Sequence, residues 1–421
     1  MAVDKILFGA YNPYRGALTE KKVKILADAG IDIAMVSASD NEEEFKNNLA
    51  LFSKYGIKVI VTDRRTIKIY KKLIRGYAGV FDSDKASFIE SYSDCEAYYG
   101  SEFVDEPGLV YFEEIGQAVR EFKEKFPDKL YYVNLSPSHV TNIQYTAGPN
   151  IFDIGDVDVS ENNFQKYLDE FIRLVPVDYL CLDIYPFKLK TFWDSYLNEM
   201  EIIAHTLRKA DREFWLCVQS AAWLEEVHIP TEPEFRWQMY TTLAFGVVCN
   251  MMYTFTGPDV DPDVPPPKDK ALLRGTPVTG EGTKHELYFA IQKITREFHA
   301  ISDVFLQYRY AGVMTINCTE DTPYLKIDRT LDCYAPILDI STDKPFLLSC
   351  FEKKEGEGSA FVFVAMENFR REPAASEIKI KLAADTVTAY YDGAPLVLTP
   401  DSNGYYSFIL KHCDGVFVTL S

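Results

Sequence analysis

The sequence has no uninterrupted apolar run approaching the ~20 residues that a membrane-spanning helix needs, so no span is expected. Its 6 histidines are scattered, with no H-E-x-x-H pair and no Cys/His cluster, so no metal site is expected. Its 8 cysteines (95, 181, 217, 249, 318, 333, 350 and 413) never fall in a C-x-x-C spacing, and Cys181, Cys217 and Cys249 sit inside apolar, strand-like runs. Buried free thiols in a reducing compartment are the plain reading. No G-x-G-x-x-G follows the first strand-like run, which argues against a dinucleotide, and no other cofactor grip is visible. Positive charge is scarce: 44 Lys and Arg stand against 63 Asp and Glu, a formal net charge of −19. Nucleic acid and anionic membranes both want a basic face, so neither is expected as a partner. Met1-Ala2-Val3-Asp4-Lys5 lacks the charged start and apolar core of a signal peptide, so a cytoplasmic location is expected unless a leader has been trimmed away. Nothing in the sequence speaks to oligomeric state.

What the chain does have is length, 421 residues, and a long alternation of apolar runs with amphipathic segments. Strands are expected at Lys5 to Tyr11, Ile31 to Ser37, Lys58 to Asp63, Tyr98 to Val104, Lys129 to Ser136, Asp178 to Tyr185, Glu213 to Ser220 and Val247 to Tyr253. Helices are expected between them, over 19–29, 41–55, 108–126, 160–174, 190–209, 232–245 and 284–300, with two more within 66–97. Near-continuous apolar strands alternating with amphipathic helices signal a parallel sheet buried on both faces. Eight such units in about 300 residues predict a (β/α)8 barrel over 1–302, with an open doubly wound sheet as the second choice. From 303 to 421 the pattern turns to short alternating runs, such as Ala360-Phe361-Val362-Phe363-Val364, punctuated by Asp392-Gly393 and Asn403-Gly404. That predicts an antiparallel β-sandwich.

Barrel chemistry gathers at the C-terminal tips of the strands. The tips hold Tyr11, Asn12, Ser37, Asp63, Arg64, Asp105, Glu106, Asn134, Ser136, Asp183, Tyr185, Gln219, Trp223 and Tyr253. The organising stretch is Tyr98 to Gly108, which sets two adjacent carboxylates, Asp105 and Glu106, between a strand and a helix, with Pro107 expected in the first helical turn. A helix cap is the plainer reading of Asp105. Carboxylates beside aromatic rings and amides suit glycoside hydrolysis, in which an acid protonates the leaving oxygen and a second group meets an oxocarbenium-like centre. Glu106 is the expected acid, and Asp105 or Asp183 the second carboxylate. Tyr11, Asn134, Tyr185, Gln219, Trp223 and Tyr253 are the expected substrate contacts. Asp63 and Glu102 read as structural, and His139 as an exposed polar residue on the long loop 137–159.

A barrel with Glu106-Pro107 after its fourth strand and a β domain behind it resembles the clan A glycoside hydrolases, including the family 42 β-galactosidase type. The resemblance implies Glu106 as acid/base, with Asp105 where the family usually has Asn. It implies a nucleophilic Glu at the tip of the seventh strand, where this chain has Gln219, an amide that cannot form a glycosyl ester. Two other mechanisms are open. Asp105-Glu106 resembles the Asp-Glu pair of substrate-assisted N-acetylhexosaminidases, in which the substrate's acetamido group attacks. Alternatively Asp183, across the barrel, acts as base in an inverting reaction. The rival from another class is a non-catalytic carbohydrate-binding barrel, with Gln219 marking a lost nucleophile. A metal-free lyase or isomerase is a third reading, weakened because no strand tip carries a lysine.

Overall fold

The computed structural model describes residues 3–11, 18–73, 76–149, 151, 156, 158–188, 192–223, 227–257, 273–319, 322, 326–366 and 375–421. Eight parallel strands form the barrel: β1 (Leu7–Tyr11), β2 (Ile33–Ser37), β3 (Lys58–Thr62), β4 (Tyr98–Asp105), β5 (Leu130–Asn134), β6 (Tyr179–Asp183), β7 (Glu213–Gln219) and β8 (Val247–Tyr253). Their order is sequential, with β8 pairing back onto β1. The seam between β5 and β6 is held by a single parallel bridge, Leu135 to Leu182, with Leu135 N–H donating to the Cys181 carbonyl at 2.8 Å. The result is a nearly closed (β/α)8 barrel, as the alternation predicts.

The main outer helices are α1 (Glu20–Asp28), α2 (Glu42–Lys54), α3 (Phe112–Lys125), α4 (Phe164–Leu174), α5 (Tyr196–Ala210), α6 (Glu232–Ala244) and α7 (Glu286–Phe305). Local sequence sets several of their starts. The side chains of Thr19, Asn41 and Asn163 each accept a backbone N–H in the first turn, and Thr231 with Glu234 makes a reciprocal capping box. One expectation fails. Two helices were expected within 66–97, but Ile67–Leu73 pairs as an antiparallel strand with Gly76–Phe81. A single 3-10 turn, Ser83–Lys85, and the short helix Ser87–Glu90 follow before β4.

Behind the barrel lies an antiparallel sandwich. Its strands are β9 (Tyr308–Ile316), β10 (Ile337–Ser341), β11 (Phe346–Lys353), β12 (Ser359–Ala365), β13 (Ser376–Leu382), β14 (Val387–Tyr391), β15 (Ala394–Leu398), β16 (Tyr405–Leu410) and β17 (Gly415–Leu420). One sheet runs β9-β11-β12-β17-β14-β15 and the other β10-β13-β16. Strand alternation divides β12 between two cores. Phe361, Phe363 and Ala365 face the smaller sheet, while Ala360, Val362 and Val364 join the barrel's core. Helix α6 is therefore covered on every side, by barrel strands and by this sheet, and is buried continuously from Phe235 to Ala244.

Candidate active site

Strand β4 carries the site, and its geometry departs from a regular strand. Pairing with β5 matches Glu102 to Tyr132 and then Val104 to Val133, so one extra residue, Phe103, is inserted. In strict alternation Glu102 and Asp105 would face opposite sides of the sheet. The bulge re-aims the strand so that both act inside the barrel, while Phe103 packs outward with Phe81, Phe122 and Tyr131. The chain then turns at Glu106, which adopts φ of 46° and donates its N–H to the Asn134 carbonyl at 2.8 Å. A left-handed glutamate is strained and needs surrounding structure to hold it. Tyr167 from α4 supplies part of that hold, donating its hydroxyl to the Pro107 carbonyl at 2.7 Å. Gly108 supplies another, because a Cβ there would come within 2.5 Å of the Ala147 and Gly148 backbone. Asp105 caps no helix. The residue before the first helical turn is Gly108, and that turn, Leu109–Tyr111, has no side-chain cap, so Pro107 lies just outside the helix.

At the mouth of the barrel Tyr11, Asp105, Glu106, Asn134, Asp183, Tyr185, Cys217 and Tyr253 line an open cup of about 210 Å³. Its centre is an amide bridging two acids. Asn134 Nδ2 donates to Asp105 Oδ1 at 3.2 Å and to Asp183 Oδ1 at 3.1 Å, and Cys217 Sγ lies 3.7 Å from Asn134 Oδ1. The two carboxylate oxygens can be no further apart than the sum of those amide distances. Asp183 thus sits beside Asn134 at the seam, two strands from Glu106. Beneath them Glu102 accepts from the Tyr11 hydroxyl at 3.1 Å and from Thr62 Oγ1. The Tyr253 ring stands between Tyr11 and Tyr185, with centroids 5.4 and 5.7 Å away.

No Lys, Arg or His lines the cup among the described residues, and the carboxyl groups feel it. Burial, then the charges of Asp183 and Asp105, holds the Glu106 carboxyl well above the ordinary range. Burial and the charge of Asp105 push Asp183 up to about 7, against the pull of the Asn134 hydrogen bond. Glu102 is likewise pushed up to about 7 by burial and Asp105. Asp105 is also raised, through the protein walls around it, although its side chain is open to water and that access limits the rise. Neighbouring carboxyl groups raised to different extents by burial and by one another are the electrostatic pattern from which acid/base pairs are built.

Other strand-tip residues go elsewhere. Gln219 is fully buried and its carboxamide is spent inside the protein: it accepts from Phe187 N–H at 2.8 Å and donates to the carbonyls of Phe187 at 2.9 Å and His228 at 2.7 Å. It braces two loops and does not line the cup. Asp63 pairs with Arg65 through both carboxylate oxygens, at 2.9 and 2.7 Å. Trp223 pairs through its backbone with Leu273, and its side chain lies outside the described residues, as does all of Asn12. His139 packs edge-on against Trp193 at 5.0 Å. One lining residue, Cys217, was read from the sequence only as a buried thiol, and Glu102, read as structural, lies beneath the cup on Tyr11 and Thr62. Among the described residues no group of three or more His, Cys, Asp or Glu side chains could hold a metal ion, and no helix is long and apolar enough to cross a membrane.

No protein-family model matches the chain, and no curated protein matches it in sequence. Solved structures match its fold. An alpha-amylase from Lactobacillus plantarum aligns over 99% of both chains with a TM-score of 0.51 at 11% identity. A beta-galactosidase from Bacillus circulans sp. alkalophilus aligns over 99% of both chains with a TM-score of 0.50 at 9% identity. The GH39 enzyme from Xanthomonas axonopodis pv. citri covers 99% of this chain and 94% of its own, with a TM-score of 0.47 at 11% identity. At such identities the likeness is one of fold, a barrel with a β domain behind it, and function has to be argued from the site.

Proposed function

We propose that the protein is a glycoside hydrolase, with Glu106 as general acid and Asp183 or Asp105 as the second carboxylate. The observation that carries this reading is the Glu106 carboxyl, held well above the ordinary carboxylate range by burial and by Asp183 and Asp105, at the tip of β4 in an open cup walled by tyrosines. A protonated Glu106 can give its proton to the glycosidic oxygen. Asp183 and Asp105, oriented by the Asn134 amide, then face the positive charge that develops on the sugar. The named solved structures with the same fold include an alpha-amylase and a beta-galactosidase, which agrees with a carbohydrate substrate. The finer likeness to the family 42 type rests on Glu106-Pro107 alone. Because Gln219 is turned away from the cup, the strand-seven nucleophile of clan A has no counterpart at that position. The second role falls to the β4–β6 cluster.

The test is hydrolysis of a panel of aryl glycosides and oligosaccharides. Glu106→Gln should lower kcat by at least about 10²-fold, the usual cost of losing a positioned acid. An unchanged kcat would remove Glu106 from this role. Asp183 must be ionised to face the sugar cation, so kcat/KM should fall as pH drops through about 7. The second reading, a sugar-binding barrel without catalysis, is favoured by the inward-bonded Gln219, and sugar binding by calorimetry with no turnover on any substrate would establish it.

A further inference from the structure

The cup is unbalanced in a way that bears on its ligand. Its lining holds three carboxylates, Asp105, Glu106 and Asp183, with Glu102 just beneath, and no basic side chain among the described residues. Several of its donors are already committed. The Asn134 amide gives its hydrogens to Asp105 and Asp183, the Tyr11 hydroxyl gives its own to Glu102, and the Cys217 thiol lies against Asn134 Oδ1. Of its acceptors, Asp105 Oδ1 and Asp183 Oδ1 are committed to that amide. Among the described residues the Glu106 carboxylate and Asp105 Oδ2 accept no hydrogen bond. A neutral hydroxyl brings an acceptor with every donor. A carboxylate, sulfate or acetamido carbonyl brings acceptors to a wall already full of them. An ammonium group brings three donors, no acceptor and a positive charge. The rings of Tyr11, Tyr253 and Tyr185 adjoin one another in the lining of the same cup.

Resting on the glycosidase reading, we infer that the sugar held in this cup carries a free, protonated amino group on the carbon next to the anomeric centre: a 2-amino-2-deoxyhexoside. The position follows from the geometry. Glu106 has to reach the glycosidic oxygen, and Asp105 is its chain neighbour. The Asn134 bridge places Asp183 beside Asp105, so these two carboxylates meet the substituent on the adjacent carbon. N-acetylation would remove the charge and add a carbonyl, and both changes count against binding.

The test is calorimetric titration of the whole protein with glucosamine and galactosamine, beside glucose, galactose and their N-acetylated 2-amino forms. One of the amino sugars should bind at least about 10-fold more tightly than its parent hexose and its N-acetyl form, a modest yield for a charge pair in a shielded site. In Asp183→Asn, near-isosteric and checked for an unchanged melting profile, that preference, read as the ratio of amino-sugar to parent-hexose affinity in the same variant, should shrink to within about 2-fold. Equal or tighter binding of the parent hexose or the N-acetyl sugar, or no binding of either amino sugar, overturns the inference. Aryl glycosides run in parallel separate this from the function itself. Turnover of neutral hexosides without amine preference sinks the amino-sugar assignment and leaves the hydrolase standing. Selective amino-sugar binding without turnover does the reverse.

Discussion

Three carboxyl groups at the barrel mouth release their protons less readily than an unfolded chain would: Glu102 and Asp183 are pushed up to about 7, and Glu106 is raised well above the ordinary range. The consequence for stability has a definite sign. Glu102 and Asp183 titrate near 7 when folded and in the ordinary carboxylate range when unfolded. Across that window the native state binds more protons, so stability is full in acid and declines as pH rises through about 7. Replacing Glu102 by Gln keeps the partners Tyr11 and Thr62 and removes the ionisation. Relative to the parent, the melting temperature of Glu102→Gln should therefore improve steadily from about pH 5 to about pH 8. A gap that stays constant with pH would show that Glu102 is ionised at no cost. The same residue illustrates what a sequence conceals. Glu102 and Asp105 are an odd number of residues apart, which in a regular strand sets them on opposite faces. Only the bulge at Phe103 unites them, and an inserted residue leaves no mark in the hydrophobic pattern.

Elements were far more legible than the directions of their side chains. All eight barrel strands are apolar runs buried on two sides, and several helix starts are marked by Thr or Asn caps, so the alternation could be read directly. The hairpin at 67–81 was not, because Lys68, Lys71 and Lys72 interrupt its apolar residues at intervals that fit a helix as well as a ribbon. Gln219 was correctly placed at the end of β7, but whether it faces the cup or the loops behind is decided by the Phe187 and His228 backbone, which the local sequence does not announce. The relation of Asp183 to Asn134 needed the β5–β6 seam, a contact between strands separated by a long loop and a helix. At this scale Gly108 is the sensitive point. A methyl group there meets backbone of the 146–148 segment at 2.5 Å, which cannot swing aside as a side chain can. Gly108→Ala should cost about 1–3 kcal/mol in urea unfolding, as overpacking does. It should also lower kcat by disturbing the turn that holds Glu106. Full activity with parental stability would show that this turn is soft.

The whole molecule is tied together by a buried ion triad at the junction of barrel and sandwich. The Arg236 guanidinium donates to both oxygens of Glu297 at 2.9 Å and to Asp414 at 2.9 and 3.1 Å, with all three residues buried. Removing the cation alone leaves two buried carboxylates facing each other. Arg236→Leu should cost about 3–5 kcal/mol by denaturant unfolding, whereas replacing all three residues by apolar ones of similar volume should recover much of that loss. A single-variant cost below about 1 kcal/mol would mean that water reaches the triad.

Only Leu306 and Gln307 separate the end of α7 at Phe305 from the start of β9 at Tyr308, and the six-stranded sheet buries one of its faces against the barrel. A protease searching for a hinge would find none at this junction. Limited digestion should nick loops and leave the two halves bound together as one species on a sizing column. A gene cut at this point would hand the cell a barrel missing one wall of its own interior.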